Sequence, residues 1–93
     1  MRFEWDAKKA LINVVKHKIS FREATEVFSD PNALEDYDSL HSTNEARFSI
    51  IGSSGRRLLF VVYAERSMDA VRLISARKAN QAERRIYERR INR

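Results

Sequence analysis

The residues of this 93-residue chain best suited to chemistry are arginines at the ends of apolar segments. Arg47 precedes one apolar run, Arg66 follows a second, and Arg77 with Lys78 ends a third. Guanidinium groups bind phosphate through paired hydrogen bonds and stay charged at any cellular pH. A cleft framed by these four cations suits RNA, because cations stabilise the charge that builds as a 2′-hydroxyl attacks its neighbouring phosphate.

His41 is the candidate proton-transfer group. It lies in a polar, turn-rich stretch, and an unperturbed imidazole titrates near neutral pH, so it suits a general acid or base. The only other histidine, His17, is not spaced with it as a metal-ligand pair, and the chain has no cysteine. The sequence therefore predicts no metal site and no cofactor.

Arg72 lies in the middle of the apolar segment 71–80, where an arginine needs a partner. Either it contacts RNA, or it pairs with a carboxylate of Glu45, Glu65 or Asp69. Strand alternation puts Arg72 and Arg77 on opposite faces, unless a bulge intervenes or the strand ends before Arg77.

Four further residues are candidate RNA contacts. Tyr63 and Tyr87 can stack on bases, as aromatic side chains do in single-stranded RNA readers, or pack at the edge of the core. Arg84 and Arg85 belong to a strongly basic C-terminal segment, which is either a polyanion-binding surface or a solvated helix.

The net charge of +5 is unevenly distributed. Residues 1–55 carry 7 basic and 9 acidic side chains, whereas residues 56–93 carry 11 basic and 4 acidic ones. The second region is a candidate surface for nucleic acid.

Length and composition predict one soluble domain over residues 1–93, located in the cytoplasm. No apolar run approaches the roughly 20 residues of a membrane span. The first residues, MRFEWDAKK, lack the apolar core of a signal peptide.

Two short helices are predicted near the start, after residues 2–5, which are predicted as a strand or an extended lead-in. Asp6 caps a helix over about 7–18, in which Ala7, Leu11, Val14 and Val15 share one face. Ser20 and Glu23 have capping-box spacing and open a second helix that ends at Asp30-Pro31.

Three strand-like runs follow a polar loop that has an edge strand near 33–37. They are ARFSIIG, RLLFVVYAE and AVRLISA, joined by short turns that favour an antiparallel meander. Asn80 then caps a C-terminal helix with an apolar stripe at Ala82, Ile86, Tyr87 and Ile91. The predicted fold is α+β: a helical hairpin, three or four antiparallel strands and a C-terminal helix.

Several motifs, taken together and in order, closely resemble the BrnT family of ribonuclease toxins from bacterial type II toxin–antitoxin systems. They are FEWD (3–6), Asn13 with Lys16-His17, ISF-x-EA-x-x-VF-x-DP (19–31), His41, E-x-R-F (45–48), LLFVVY (58–63) and VRLISARKA (71–79). The likeness continues through Glu83 and Tyr87. One position departs from the pattern: Lys18 stands where the family usually has a glycine.

The resemblance implies a fold similar to RelE and ParE toxins and an activity that cleaves mRNA. It also implies inhibition by a BrnA-type antitoxin with a ribbon-helix-helix domain, through which the complex would contact operator DNA. On this reading Arg47, Arg66, Arg77 and His41 form the catalytic set, and an acidic antitoxin segment packs beside the C-terminal helix and the open sheet face.

Two other classes of function fit the sequence. ParE relatives poison gyrase without cutting RNA, so a non-catalytic poison of a protein target is one alternative. A plain nucleic-acid-binding module that uses the basic C-terminal half is the other.

Overall fold

The structure is a computed structural model that describes residues 1–92. In chain order its elements are β1 (Arg2–Glu4), α1 (Ala7–His17), α2 (Phe21–Thr25), a 3-10 turn (Glu26–Ser29), β2 (Leu34–Tyr37), β3 (Arg47–Ser53), β4 (Leu58–Ser67), β5 (Ala70–Lys78) and α3 (Gln81–Ile91). The edge strand and the C-terminal helix lie where the sequence predicts them, and so does the helical hairpin, except that its second helix is α-helical only to Thr25 and continues to Ser29 as a 3-10 turn.

The five strands form one mixed sheet in the order β1-β5-β4-β3-β2. Strands β2 to β5 are the expected antiparallel meander. β1 adds a fifth strand that pairs with β5 in parallel, which corrects the predicted antiparallel sheet of three or four strands. The first strand joins the sheet beside the last, a long-range pairing that the three-residue segment Arg2–Glu4 does not reveal.

A β-bulge in β5 decides which arginines share a face. Val62 pairs with Ser75 but Tyr63 pairs with Leu73, so Ile74 is an extra residue in β5. The bulge shifts the alternation by one and brings Arg72 to the same face as Arg77. From the sequence, the two arginines can share a face if a bulge intervenes, and this bulge is present.

The main core lies between the helical hairpin and one face of the sheet. Ile19, Phe21, Ala24 and Val27 are buried against apolar side chains of β3, β4 and β5. Ser20 caps α2 through its Oγ, which accepts from the Glu23 N–H at 3.0 Å. The chain approaches so closely at Gly52 that a Cβ there would lie 2.7 Å from Val27 Cγ1.

Helix α1 packs on the sheet through Asn13 and not through its apolar face. Asn13 is its one buried residue, whereas Leu11 and Val15 of the apolar face are each 66% exposed. Asn13 hydrogen bonds to backbone groups of Ile19 and Ala76 and so determines which side faces inward. An amphipathic pattern ordinarily predicts the opposite orientation.

Helix α3 covers part of the other sheet face. Asn80 and Glu83 form a complete capping box at its start, as predicted. Tyr87 is buried with Ile51 and Leu58. The rest of the predicted stripe remains largely in solvent, with Ile86 and Ile91 about half exposed.

None of the helices in residues 1–92 has the length and apolar character needed to cross a membrane.

Candidate functional site

The sheet face opposite the helical hairpin carries most of the predicted chemistry. Side chains on directly paired strand residues point to the same face, so three rows cross this surface. The rows are Arg47, Ala64 and Arg72; Ser49, Val62 and Ser75; and Ile51, Phe60 and Arg77. Helix α3 covers only the end near Ile51, so the other rows form an open sheet face.

A groove lies on this open sheet face. Its floor is formed by Ser49, Phe60 and Val62, and residues 36–40 of β2 and the following loop form one wall. His41 and Arg77 do not line the groove, but each contacts a residue that does. Asp38 of the wall binds His41, and Phe60 of the floor contacts Arg77.

His41 is oriented by Asp38. The Nδ1 of His41 lies 2.8 Å from Asp38 Oδ2, and the His41 N–H donates to Asp38 Oδ1 at 3.3 Å. The hydrogen bond from His41 is the main reason that the pKa of Asp38 lies below its ordinary value. Because Asp38 occupies Nδ1 and the His41 side chain is exposed, Nε2 is free to exchange a proton with a ligand.

Arg47 is the cation on the open sheet face that no carboxylate neutralises within residues 1–92. Its backbone is anchored to the His41 loop, because its N–H donates to Ser42 Oγ at 2.9 Å and its carbonyl accepts from the Asp38 N–H at 2.8 Å. The backbone of Arg47 is therefore fixed to the loop that carries the Asp38–His41 pair, and no ion pair within residues 1–92 offsets its charge.

Arg66 and Arg72 share the carboxylate of Glu45. Arg66 Nη1 donates to Glu45 Oε2 at 3.3 Å, and Arg72 Nη2 donates to Glu45 Oε1. Arg66 also lies 3.7 Å from Glu4. Burial acts to raise the pKa of Glu45, but the two arginines outweigh it and lower the pKa. Of the two readings of Arg72, the structure shows the carboxylate pair.

Arg77 is held by Glu83 and Phe60. Its Nη1 and Nη2 donate to the two carboxylate oxygens of Glu83 at 2.9 and 2.8 Å, and its Cζ lies 4.2 Å from the centre of the Phe60 ring. Burial acts to raise the pKa of Glu83, but Arg77 and the backbone of Asn80 lower it overall. The guanidinium is fixed at the groove edge and still about one third exposed.

The remaining predicted cations lie outside the groove. Lys78 is exposed at the end of β5, and Arg84 and Arg85 are exposed on α3. None of the three takes part in an ion pair with residues 1–92.

The two tyrosines are buried, so of the two readings given from the sequence the structure shows packing in the core. Tyr63 is 2% exposed, and its ring is covered by Phe48 and Phe28, with ring centres 5.5 and 5.0 Å away. Tyr87 is 8% exposed, and its hydroxyl donates to Asp30 Oδ2 at 2.6 Å. Neither ring has a free face for a base.

No three histidine, aspartate or glutamate side chains in the part of the chain that the structure describes converge as a metal site would require.

The sequence-based reasoning named Glu45 as one possible partner of Arg72, but it missed three partners of the site: Asp38, Phe60 and Glu83. A local signal existed for Asp38, which precedes His41 by three residues in a turn-forming loop. Glu83 was recognised as a capping residue, but its second role toward Arg77 depends on how α3 leaves the sheet.

Fold and site together define an α+β protein with an arginine-bordered groove on the open face of its sheet. A model of the family described as "Ribonuclease toxin, BrnT, of type II toxin-antitoxin system" matches residues 5–83. The chain therefore belongs to the BrnT family of ribonuclease toxins, as its motifs indicated.

Solved structures agree with this assignment. The 1.1 Å crystal structure of the Brucella abortus ribonuclease toxin BrnT matches with 25% sequence identity and a TM-score of 0.65. The match covers 87% of this chain and 99% of the Brucella chain. The comparison with curated proteins gave no match.

Proposed function

We propose that this chain is a metal-independent endoribonuclease that cleaves mRNA, inhibits translation and is neutralised by a BrnA-type ribbon-helix-helix antitoxin. The observation that carries the proposal is that the Asp38–His41 pair and the Arg77 guanidinium adjoin one groove on the open sheet face, the face to which Arg47 also belongs. The description of the family as a ribonuclease toxin supports the same activity.

The reaction is an internal transfer at phosphorus. The 2′-oxygen of the RNA attacks the adjacent phosphate, its proton passes to Nε2 of His41, and the bond to the 5′-oxygen breaks. Water protonates the departing 5′-oxygen, so the products are a 2′,3′-cyclic phosphate and a 5′-hydroxyl. Asp38 orients the imidazole and stabilises the imidazolium that forms.

Arg47 is the residue placed to bind the scissile phosphate. Its charge is not offset by a carboxylate within residues 1–92. A guanidinium stabilises the transition state most where negative charge develops during the reaction. Arg77 is the second candidate, because it is rigidly held and part of its surface faces solvent.

Arg66 and Arg72 have a supporting role in this proposal. The carboxylates of Glu45 and Glu4 neutralise them, so they stabilise the end of the open sheet face more than they bind RNA. Lys78, Arg84 and Arg85 extend the positive surface for further phosphates of a single strand, a contact that weakens with salt.

Cleavage of a defined single-stranded RNA in the presence of EDTA tests the proposal. Products with cyclic phosphate ends are expected from the wild type, and His41→Gln should be slow. Arg22→Ala is the matched control, because Arg22 is exposed on α2, which packs on the opposite sheet face.

The other outcomes separate the alternatives. Intact RNA together with growth arrest would favour a poison of a protein target. Salt-sensitive binding without cleavage would favour a plain nucleic-acid-binding module.

A further inference from the structure

Helix α1 presents an apolar surface that nothing in residues 1–92 covers. Leu11, Ile12 and Val15 are 66%, 54% and 66% exposed, and Val14 is 40% exposed beside them. These four residues, spaced by one, three and four positions, make a continuous stripe just over one helical turn long. We call them the α1 stripe.

The α1 stripe is a consequence of how the helix is anchored. Asn13 lies on the opposite side of α1, and its side chain makes three buried hydrogen bonds to the backbone of Ile19 and Ala76. Rotating the helix to bury the stripe would break all three bonds. The exposed apolar side chains are therefore a fixed feature of the folded chain, and contiguous apolar surface of this kind marks an interaction site.

The charged side chains of α1 itself and of its C-cap residue are all basic. Lys8 lies one turn before Ile12, Lys16 one turn after it, and Lys18 follows the end of the helix. All three lysines are exposed, and none pairs with a carboxylate in residues 1–92. A second copy of this chain would place lysine against lysine, so self-association through the stripe is disfavoured.

We propose that the α1 stripe is the anchoring site for the antitoxin, and that its occupant is an amphipathic antitoxin helix with acidic residues beside its apolar face. A helix laid along α1 would bury its apolar residues on Leu11, Ile12 and Val15 while its carboxylates meet the lysines. This inference rests on the proposed function, since it assumes that the chain acts with an antitoxin.

The position of the α1 stripe separates anchoring from inhibition. No residue of α1 lines the groove, and α1 packs on the hairpin side of the sheet. A partner anchored on α1 reaches the groove only through another segment. Substitutions in the α1 stripe should therefore leave the rate of RNA cleavage unchanged and weaken its inhibition by the antitoxin.

The test compares two matched double variants in complexes with the cognate antitoxin. Leu11→Ser with Val15→Ser alters the α1 stripe, and Ile86→Ser with Ile91→Ser alters the half-exposed apolar residues of α3. Circular dichroism and melting curves establish that both are folded. Antitoxin affinity and RNA cleavage are then measured separately. If the wild type does not cleave RNA, the proposed function is wrong, but the affinity measurements still test the docking site.

The α1 variant is expected to bind antitoxin about 100-fold or more weakly, as loss of two central apolar contacts predicts. Its cleavage rate should equal that of the wild type. Lys8→Glu with Lys16→Glu should slow association and reduce its dependence on salt. Unchanged affinity in the α1 variant, or a loss confined to the α3 variant, would overturn the proposal.

A membrane surface is the competing occupant, because basic amphipathic helices also bind anionic lipid. Vesicles of phosphatidylcholine and phosphatidylserine are the probe. The stripe would be a lipid-binding site, and the antitoxin proposal would be wrong, under two conditions. The wild type would sediment with these vesicles while the α1 variant does not, and the α1 variant would bind antitoxin with normal affinity.

Discussion

Asn13 on α1 binds both backbone groups of Ala76 on β5, 63 residues further along the chain. Its Nδ2 donates to the Ala76 carbonyl at 2.8 Å, and its Oδ1 accepts from the Ala76 N–H at 3.0 Å. β1 pairs with β5 only from Ala70 to Arg72, so the outer edge of β5 is open at Ala76. One amide side chain thus takes the place of a neighbouring strand there.

Asn13→Ala should lower the free energy of unfolding by about 2–4 kcal/mol, because it leaves buried backbone groups of Ala76 and Ile19 without partners. Urea unfolding measures the change. Leu11→Ala is the control on the same helix and should change stability by less than about 0.5 kcal/mol, since Leu11 is largely exposed. A larger loss for Leu11→Ala than for Asn13→Ala would contradict the observed orientation of α1.

Lys18→Gly should stabilise the protein. Lys18 ends α1 in the left-handed region, with φ 60° and ψ 30°, where a side chain is strained. Relief of that strain, less the added freedom of glycine in the unfolded chain, should raise stability by about 0.5–1 kcal/mol. Lys18→Ala keeps the strain and should show no such gain in melting temperature.

His41→Gln should slow RNA cleavage by roughly 100-fold, the usual contribution of a general acid or base. The melting temperature should stay constant, because the side chain is exposed. Asp38→Asn should slow cleavage as well, since the imidazole loses the carboxylate that orients it. Equal rates for wild type and His41→Gln would remove His41 from the reaction.

Arg77→Ala and Glu83→Gln separate the catalytic role of Arg77 from its structural one. Each removes the charge pair and should lower stability by about 1–2 kcal/mol. Glutamine keeps the capping bond of α3, and Glu83→Gln leaves the Arg77 charge free. Cleavage should fall strongly in Arg77→Ala and persist in Glu83→Gln. A parallel loss in both variants would mean that Arg77 only supports the fold.

Tyr87 should make stability fall at alkaline pH. Burial, with the hydrogen bond to Asp30, raises the pKa of Tyr87 from 10.0 to about 12. The folded chain therefore keeps a proton that the unfolded chain releases, so the contribution is complete below pH 10 and is lost as pH rises toward 12. The slope should not exceed about 1.4 kcal/mol per pH unit.

Tyr87→Phe is the comparison for that measurement. It cannot ionise, so its stability should fall less between pH 10 and 12 than that of the wild type. Identical slopes for the two proteins would show that Tyr87 does not hold its proton more tightly when folded.

Local patterns predicted the elements well because their causes are local. Asp6 accepts from the Lys9 N–H at 2.9 Å and Asn80 caps α3, so both helices begin where the sequence places them. The short turn containing Gly55, whose φ is +87°, joins β3 to β4 as a hairpin. The family assignment also came from the sequence, since its motifs follow one another in order.

The sequence by itself determined the α+β class, the antiparallel meander and the starts of the helices, because capping, turn chemistry and hydrophobic periodicity act over a few residues. The resemblance of its motifs separately indicated the BrnT family. Only the tertiary structure decided which side of α1 faces the sheet, where β1 pairs, and how Arg72 and Arg77 come to share a face. Those outcomes depend on the Asn13–Ala76 bonds, on β1 meeting β5 and on the bulge at Ile74. The hydrogen bonds and the β1–β5 pairing join residues that are distant in sequence, and the bulge shifts a strand register. The hydrophobic periodicity of a sequence contains information about neither.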